Sequence, residues 1–100
     1  MSEVRNSSQI KFYHAINSKV QMKTIALGTN RRVVIEADIR EFENEAVMAH
    51  DAGTNGYRFK DWIKDIEAHF SGEKYGLKLD FKESNACEIC CQLILSRFKN

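Results

Sequence analysis

Three cysteines fall within five residues, Cys87-Glu88-Ile89-Cys90-Cys91. Thiols so spaced invite disulfide bonding, metal ligation or thiolate redox work. An odd, clustered count cannot close an intrachain disulfide framework. Cys87 and Cys90 have the two-residue spacing of half a zinc site, but a tetrahedral site needs two more ligands. The candidates, Cys91, His14, His50 and His69, form no second paired motif. Redox work needs a setting that stabilises thiolate, and Glu88 brings the wrong charge. The cysteines therefore read as reduced thiols packed like small hydrophobes, with no metal and no cofactor expected.

His50-Asp51 beside a glycine-rich loop has the parts of a general base and its orienting carboxylate. Adjacent residues seldom present side chains to each other in that geometry, and no nucleophile stands next to them. His14 reads as a half-buried histidine on the apolar face of a strand, and His69 as a residue favoured by a helix C-terminal dipole. Gly53-Thr54-Asn55-Gly56 precedes a helical segment, where phosphate binds well. It lacks the lysine and spacing of a P-loop and the glycine fingerprint of a dinucleotide site, so it reads as a turn. No zincin, kinase, hydrolase or deaminase motif is present. The expectation is a protein that is not an enzyme.

Charge is the remaining chemistry. The net charge of +1 hides a segregation: residues 1–40 carry seven basic against three acidic side chains, and residues 41–70 reverse those numbers. Glu36, Asp38, Glu41, Glu43, Glu45 and Asp51 face only Arg40 within one stretch, and clustered charge of one sign can steer an opposite partner. Lys11, Tyr13, Lys19, Lys23, Arg31 and Arg32 offer the opposite surface, basic with an aromatic, of the kind that holds a nucleic-acid backbone. The sequence pI near 7.7 lies below the usual basic footprint of such proteins.

These side chains must be positioned by a small fold. One hundred residues, 43% apolar and 29% charged, make one globular domain that hides roughly two-thirds of its extended surface. Met1–Ser8 reads as a polar arm without the apolar stretch of a secretory signal, and residues 9–100 as a single α+β domain. With thiols reduced, the expected compartment is the cytoplasm. No apolar run approaches the length of a membrane helix.

Along the chain, Ile10, Phe12, His14 and Ile16 alternate with Lys11, Tyr13 and Ala15, predicting a strand. Lys19–Leu27 reads as a second strand, Gly28-Thr29-Asn30 as a hairpin turn and Arg31–Arg40 as a third strand. Glu41–His50 predicts a short helix, with Phe42, Ala46 and Ala49 at helical spacing. Phe59, Trp62, Ile63, Ile66 and Phe70 form one stripe of an amphipathic helix closed by Ser71-Gly72. Leu77, Leu79 and Phe81 predict a fourth strand. Ala86–Phe98 fits a helix by its Asn85 cap and Glu88, yet its alternation also fits a strand. The sum is an antiparallel four-stranded sheet, a three-strand N-terminal meander plus one later strand, covered on one face by two or three helices.

On this reading the protein is a non-enzymatic binding module that docks a protein partner through its acidic block. Six carboxylates mimic the phosphates that a nucleic-acid-handling host protein grips, as in the anti-restriction or anti-CRISPR style of inhibitor encoded by phages and mobile elements. The alternative is a small nucleic-acid-binding regulator using the basic outer face of the sheet. Oligomeric state is open.

Overall fold

The computed structural model describes residues 10–25, 32–72 and 74–97. The first strand, β1 (Ile10–Tyr13), is short, because Ala15 enters the left-handed region at φ 55° and turns the chain away. The next element is α1 (Lys19–Lys23), a helix in place of the expected second strand. Ser18 caps it, its hydroxyl accepting from the Gln21 amide, while the Asn17 amide donates to the Gln21 side chain. Ser18-x-x-Gln21 has the capping-box sequence, with the Gln21 side chain accepting from the residue before the cap, and these two hydrogen bonds outweigh a weak alternation. The expected turn at Gly28-Thr29-Asn30 and the expected arm at Met1–Ser8 lie outside the described residues.

With a helix between them, β1 and β2 (Arg32–Phe42) pair in parallel, Ile10 opposite Arg32 and Tyr13 opposite Ile35. This overturns the antiparallel meander. Parallel neighbours need a crossover rather than a tight turn, and α1 lies on that crossover. After β2 the chain does make a hairpin, to β3 (Glu45–Met48), with Phe42 opposite Glu45. Glu43 and Asn44 both take positive φ, 53° and 68°, as a two-residue type I′ turn requires. A helix over Glu41–His50 is therefore excluded. Its signal failed because Glu-Asn stands where such turns usually show Asn-Gly, and because Ala46, Val47, Met48 and Ala49 are all buried.

β4 (Tyr57–Arg58) pairs antiparallel with β3 and runs directly into α2 (Phe59–His69). Gly56 is fixed by packing: a Cβ there would lie 2.5 Å from the Met48 carbonyl oxygen. The stripe expected for α2 is present, with Phe59, Trp62, Ile63 and Ile66 buried. β5 (Tyr75–Phe81) returns parallel to β2, Ile35 opposite Leu77 and Ile39 opposite Phe81. The last segment is a helix, α3 (Ser84–Arg97). The result is a mixed α+β fold with a five-stranded sheet, order β1-β2-β3-β4, and β5 on β2.

One face of β2 presents Val33, Ile35, Ala37 and Ile39 to a core shared with Phe59, Trp62, Ile66, Ala86 and Cys90. Full burial of each large apolar side chain stabilises the fold by about 1.5–3 kcal/mol. The opposite face carries Val34, Glu36, Asp38 and Arg40, with Gly76, Lys78 and Asp80 alternating along β5 and Lys82 just past its end. Among the described residues, no helix is long and apolar enough to cross a membrane.

The β2–β3 turn makes a direct test. A non-glycine residue in the left-handed region costs roughly 1–2 kcal/mol. Replacing Glu43→Asn together with Asn44→Gly is expected to raise unfolding free energy in urea by about 1 kcal/mol. Glu43→Val, β-branched at positive φ, is expected to lower it by a similar amount.

Candidate functional site

Parallel strands end on the same side of a sheet, and ligand sites of parallel α/β units gather at their carboxyl ends. Here β1 and β5 end against the middle of β2, which brings together His14 just past β1, Glu36 and Asp38 in mid-β2, and Asp80 and Lys82 at and after the end of β5. One carboxylate oxygen from each of Glu36, Asp38 and Asp80 lies within 4.8 Å of the others. Glu36 and Asp80 are half-buried, and Asp38 is only 4% exposed.

The chain leaving β1 holds two of these carboxylates. The positive φ of Ala15 points its amide at Glu36, donating to Oε1 at 2.8 Å, and the Ile16 amide donates to the Glu36 carbonyl at 2.9 Å. Asn17 grips Asp38 twice: its Nδ2 donates to Oδ2 at 3.2 Å, and its Oδ1 accepts from the Asp38 amide at 3.0 Å. Trp62 of α2 anchors the segment, its indole N–H donating to the Ile16 carbonyl at 2.8 Å in the buried core. His14, 77% exposed at its side chain, places Nδ1 3.9 Å from Glu36 Oε1. It does not sit on the apolar face expected for it.

Lys82 reaches in from the end of β5, 2.8 Å from Asp80 and 3.5 Å from Asp38. Its hydrogen bond holds the Asp80 carboxyl below the usual carboxylate range, and the same bond raises the Lys82 ammonium above its ordinary value. A second brace flanks the site. Glu83 accepts from the Glu41 amide and from Arg40, and those two donors lower its pKa in that order. Arg40 Nε donates to the His50 carbonyl at 2.9 Å, while the Ala49 amide bonds the Asp38 carbonyl. His50 Nδ1 lies 2.9 Å from Asp51, whose pKa is lowered chiefly by that hydrogen bond.

The donor set suits a hard divalent cation. Carboxylate oxygens favour Mg²⁺, Ca²⁺ or Mn²⁺, whose metal–oxygen bonds of roughly 2.0–2.6 Å place ligands at most about 5 Å apart. A spread within 4.8 Å falls under that limit.

The expected acidic block is divided by the fold. Glu36 and Asp38 belong to the cluster. Glu41 accepts from the Asn44 amide, Glu43 is exposed in the turn, Glu45 lies 3.3 Å from Arg58, and Asp51 pairs with His50. The basic set is also separated, because the predicted second strand is a helix. Lys11 lies over the Tyr13 ring on β1, and Lys19 lies over Tyr57 and near Asp65. Lys23 ends α1 and Arg32 opens β2, while Arg31 lies outside the described residues. Sequence reasoning misses Asn17, Asp80 and Lys82. The alternation of Lys78, Asp80 and Lys82 with Leu77, Leu79 and Phe81 marks them only as outward-facing.

Both the Asn17 clasp and the lowered carboxyls can be tested by unfolding. Asn17→Ala strips Asp38 of two hydrogen bonds in a mostly buried place, and unfolding free energy is expected to fall by about 1–3 kcal/mol. The lowered carboxyls of Asp80 and Glu83 add stability that is whole above their ordinary range near pH 4 and lost as pH falls through the lowered values. Thermal unfolding followed from pH 6 to pH 2 is expected to show a shallower acid loss in Asp80→Asn and Glu83→Gln than in the parent protein.

No curated protein and no solved structure matches the chain. A family model does, over residues 6–100. By that match the chain belongs to the Menorin N-terminal domain family.

Proposed function

We propose that Glu36, Asp38 and Asp80 hold a hard divalent cation and that the protein uses this site to bind and hydrolyse a phosphoester. The observation that carries the reading is three carboxylate oxygens within 4.8 Å of one another, two from the middle of β2 and one from the end of the adjacent parallel β5. Such an ion, when bound, polarises a phosphoryl oxygen as a Lewis acid. The chain's own residues do the rest. Lys82 supplies an ammonium beside the cluster for the negative charge of a phosphate oxygen. His14 stands at the rim next to Glu36, and imidazole is the side chain suited to proton transfer near neutral pH. The Ala15–Asn17 segment keeps Glu36 and Asp38 in place, so little ordering remains to be done on binding.

Cation binding is the primary test. Titration calorimetry with Mg²⁺, Mn²⁺ and Ca²⁺ is expected to show one site per chain, weakened at least tenfold in Asp38→Asn and in Asp80→Asn. Cation-stimulated cleavage of a chromogenic phosphodiester is expected to fall in His14→Ala and Lys82→Ala. Absence of any binding at millimolar cation would overturn the reading.

Docking of a protein partner is a second reading, supported by the exposed turn residue Glu43 and by Glu41 and Glu45 beside it. The family description carries no activity, so the inhibitor expectation draws nothing from it. Charge reversal Glu41→Lys with Glu43→Lys separates the two readings. It is expected to leave cation affinity unchanged, and it abolishes partner capture only if the turn is the docking surface.

A further inference from the structure

The cysteine cluster, expected to be inert, is divided by helix geometry. In α3, residues three apart and four apart both lean to one side, but the core takes only Cys90, which has no exposure. Cys91 is exposed and Cys87 is half-buried. The two-residue spacing of Cys87 and Cys90 therefore pairs nothing. The thiols that meet are Cys87 and Cys91, one turn apart, with sulfurs 4.0 Å from each other. We propose that Cys87 and Cys91 form a binding site for a thiophilic d¹⁰ cation, Cu(I) above all.

The distance selects this chemistry over a disulfide. Positions four apart on a helix hold their Cβ atoms about 5–6 Å apart, whereas a disulfide needs roughly 3.5–4.5 Å. Closing that bond requires the helix to unwind. A bridging metal requires no such movement: two metal–sulfur bonds of about 2.3 Å, opened to about 120°, put the sulfurs about 4.0 Å apart. That angle is trigonal, and it leaves one position for solvent. Cu(I) accepts low coordination numbers, and thiolates select it over hard cations.

Protons set the conditions. Desolvation first, and then Cys91, raise the Cys87 thiol above its ordinary value. Burial pushes Cys90 up to about 12. Neither is a ready nucleophile at neutral pH. Binding displaces both thiol protons of the pair to the buffer without electron transfer, so affinity falls as pH falls. The site is chemically distinct from the carboxylate cluster, whose oxygen donors suit hard ions.

The test adds Cu(I) to fully reduced protein under argon and follows thiolate-to-metal charge-transfer absorption. About one equivalent is expected to bind, and saturating Mg²⁺ is expected not to displace it. Cys87→Ser and Cys91→Ser should each weaken binding at least tenfold, with helix content unchanged by circular dichroism. Cys90→Ala should bind like the parent protein. Loss of binding in Cys90→Ala with the fold intact would overturn the proposal. So would retention in both serine variants, or absence of a charge-transfer band in the parent. A two-dalton mass loss that persists when Cu(I) is present would also sink it, since the pair would then prefer a disulfide.

Discussion

Everything in this molecule is arranged around β2, which is paired in parallel on both sides over Val33–Ile35. Parallel pairing forces each connection to cross over the sheet, and it brings the ends of β1 and β5 against the middle of β2. From Val33 to Ile39 the odd-numbered residues of β2 meet the helices and form the core. The even-numbered ones carry the polar groups. A one-residue slip of this strand would exchange the two sets, burying Glu36 and Asp38 against Trp62 and exposing Ile35 and Ile39. The apolar face therefore fixes the site as firmly as it fixes the fold.

The second constraint is the link from α2 to the segment beyond β1. A buried indole N–H without a partner costs about 1–3 kcal/mol, and Trp62 avoids that cost by donating to the Ile16 carbonyl. The bond ties the helix layer to a loop that also donates to Glu36 and Asp38. Core and site are thus connected through three successive residues, Ala15 to Asn17. Groups on rigid, packed elements hold geometry better than groups on free loops, and this loop is packed at both its backbone and its side chains.

Local signals made some elements legible in the sequence, and non-local pairing hid the others. α2 is readable because five apolar residues repeat at helical spacing with charges opposite. β5 is readable from the strict alternation of Leu77, Leu79 and Phe81, but its parallel partner is not, since alternation says nothing of direction. α1 is hidden because Val20 and Met22 alternate with Lys19, Gln21 and Lys23 as in a strand, though Ser18 and Gln21 hold the capping signal. The hairpin is hidden by Glu43-Asn44, which lacks the glycine that usually announces such a turn. The site is obscured for a different reason. Sequence proximity groups Glu36 and Asp38 with Glu41–Asp51, whereas parallel pairing joins Glu36 to Lys78 and Asp38 to Asp80, forty-two residues away.

Charge balance decides what state the cluster adopts. Carboxylates that share a site repel, and the usual response is for one to keep its proton. Lys82 removes that pressure at Asp80, whose carboxyl is held low rather than raised. The ammonium reaches both Asp80 and Asp38 from the end of the strand, while His14 stands beside Glu36. Asp80 therefore remains ionised through neutral pH with its donor oxygens intact. A lysine at this position thus holds Asp80 ionised and ties the end of β5 to Asp38 of β2 through one ammonium.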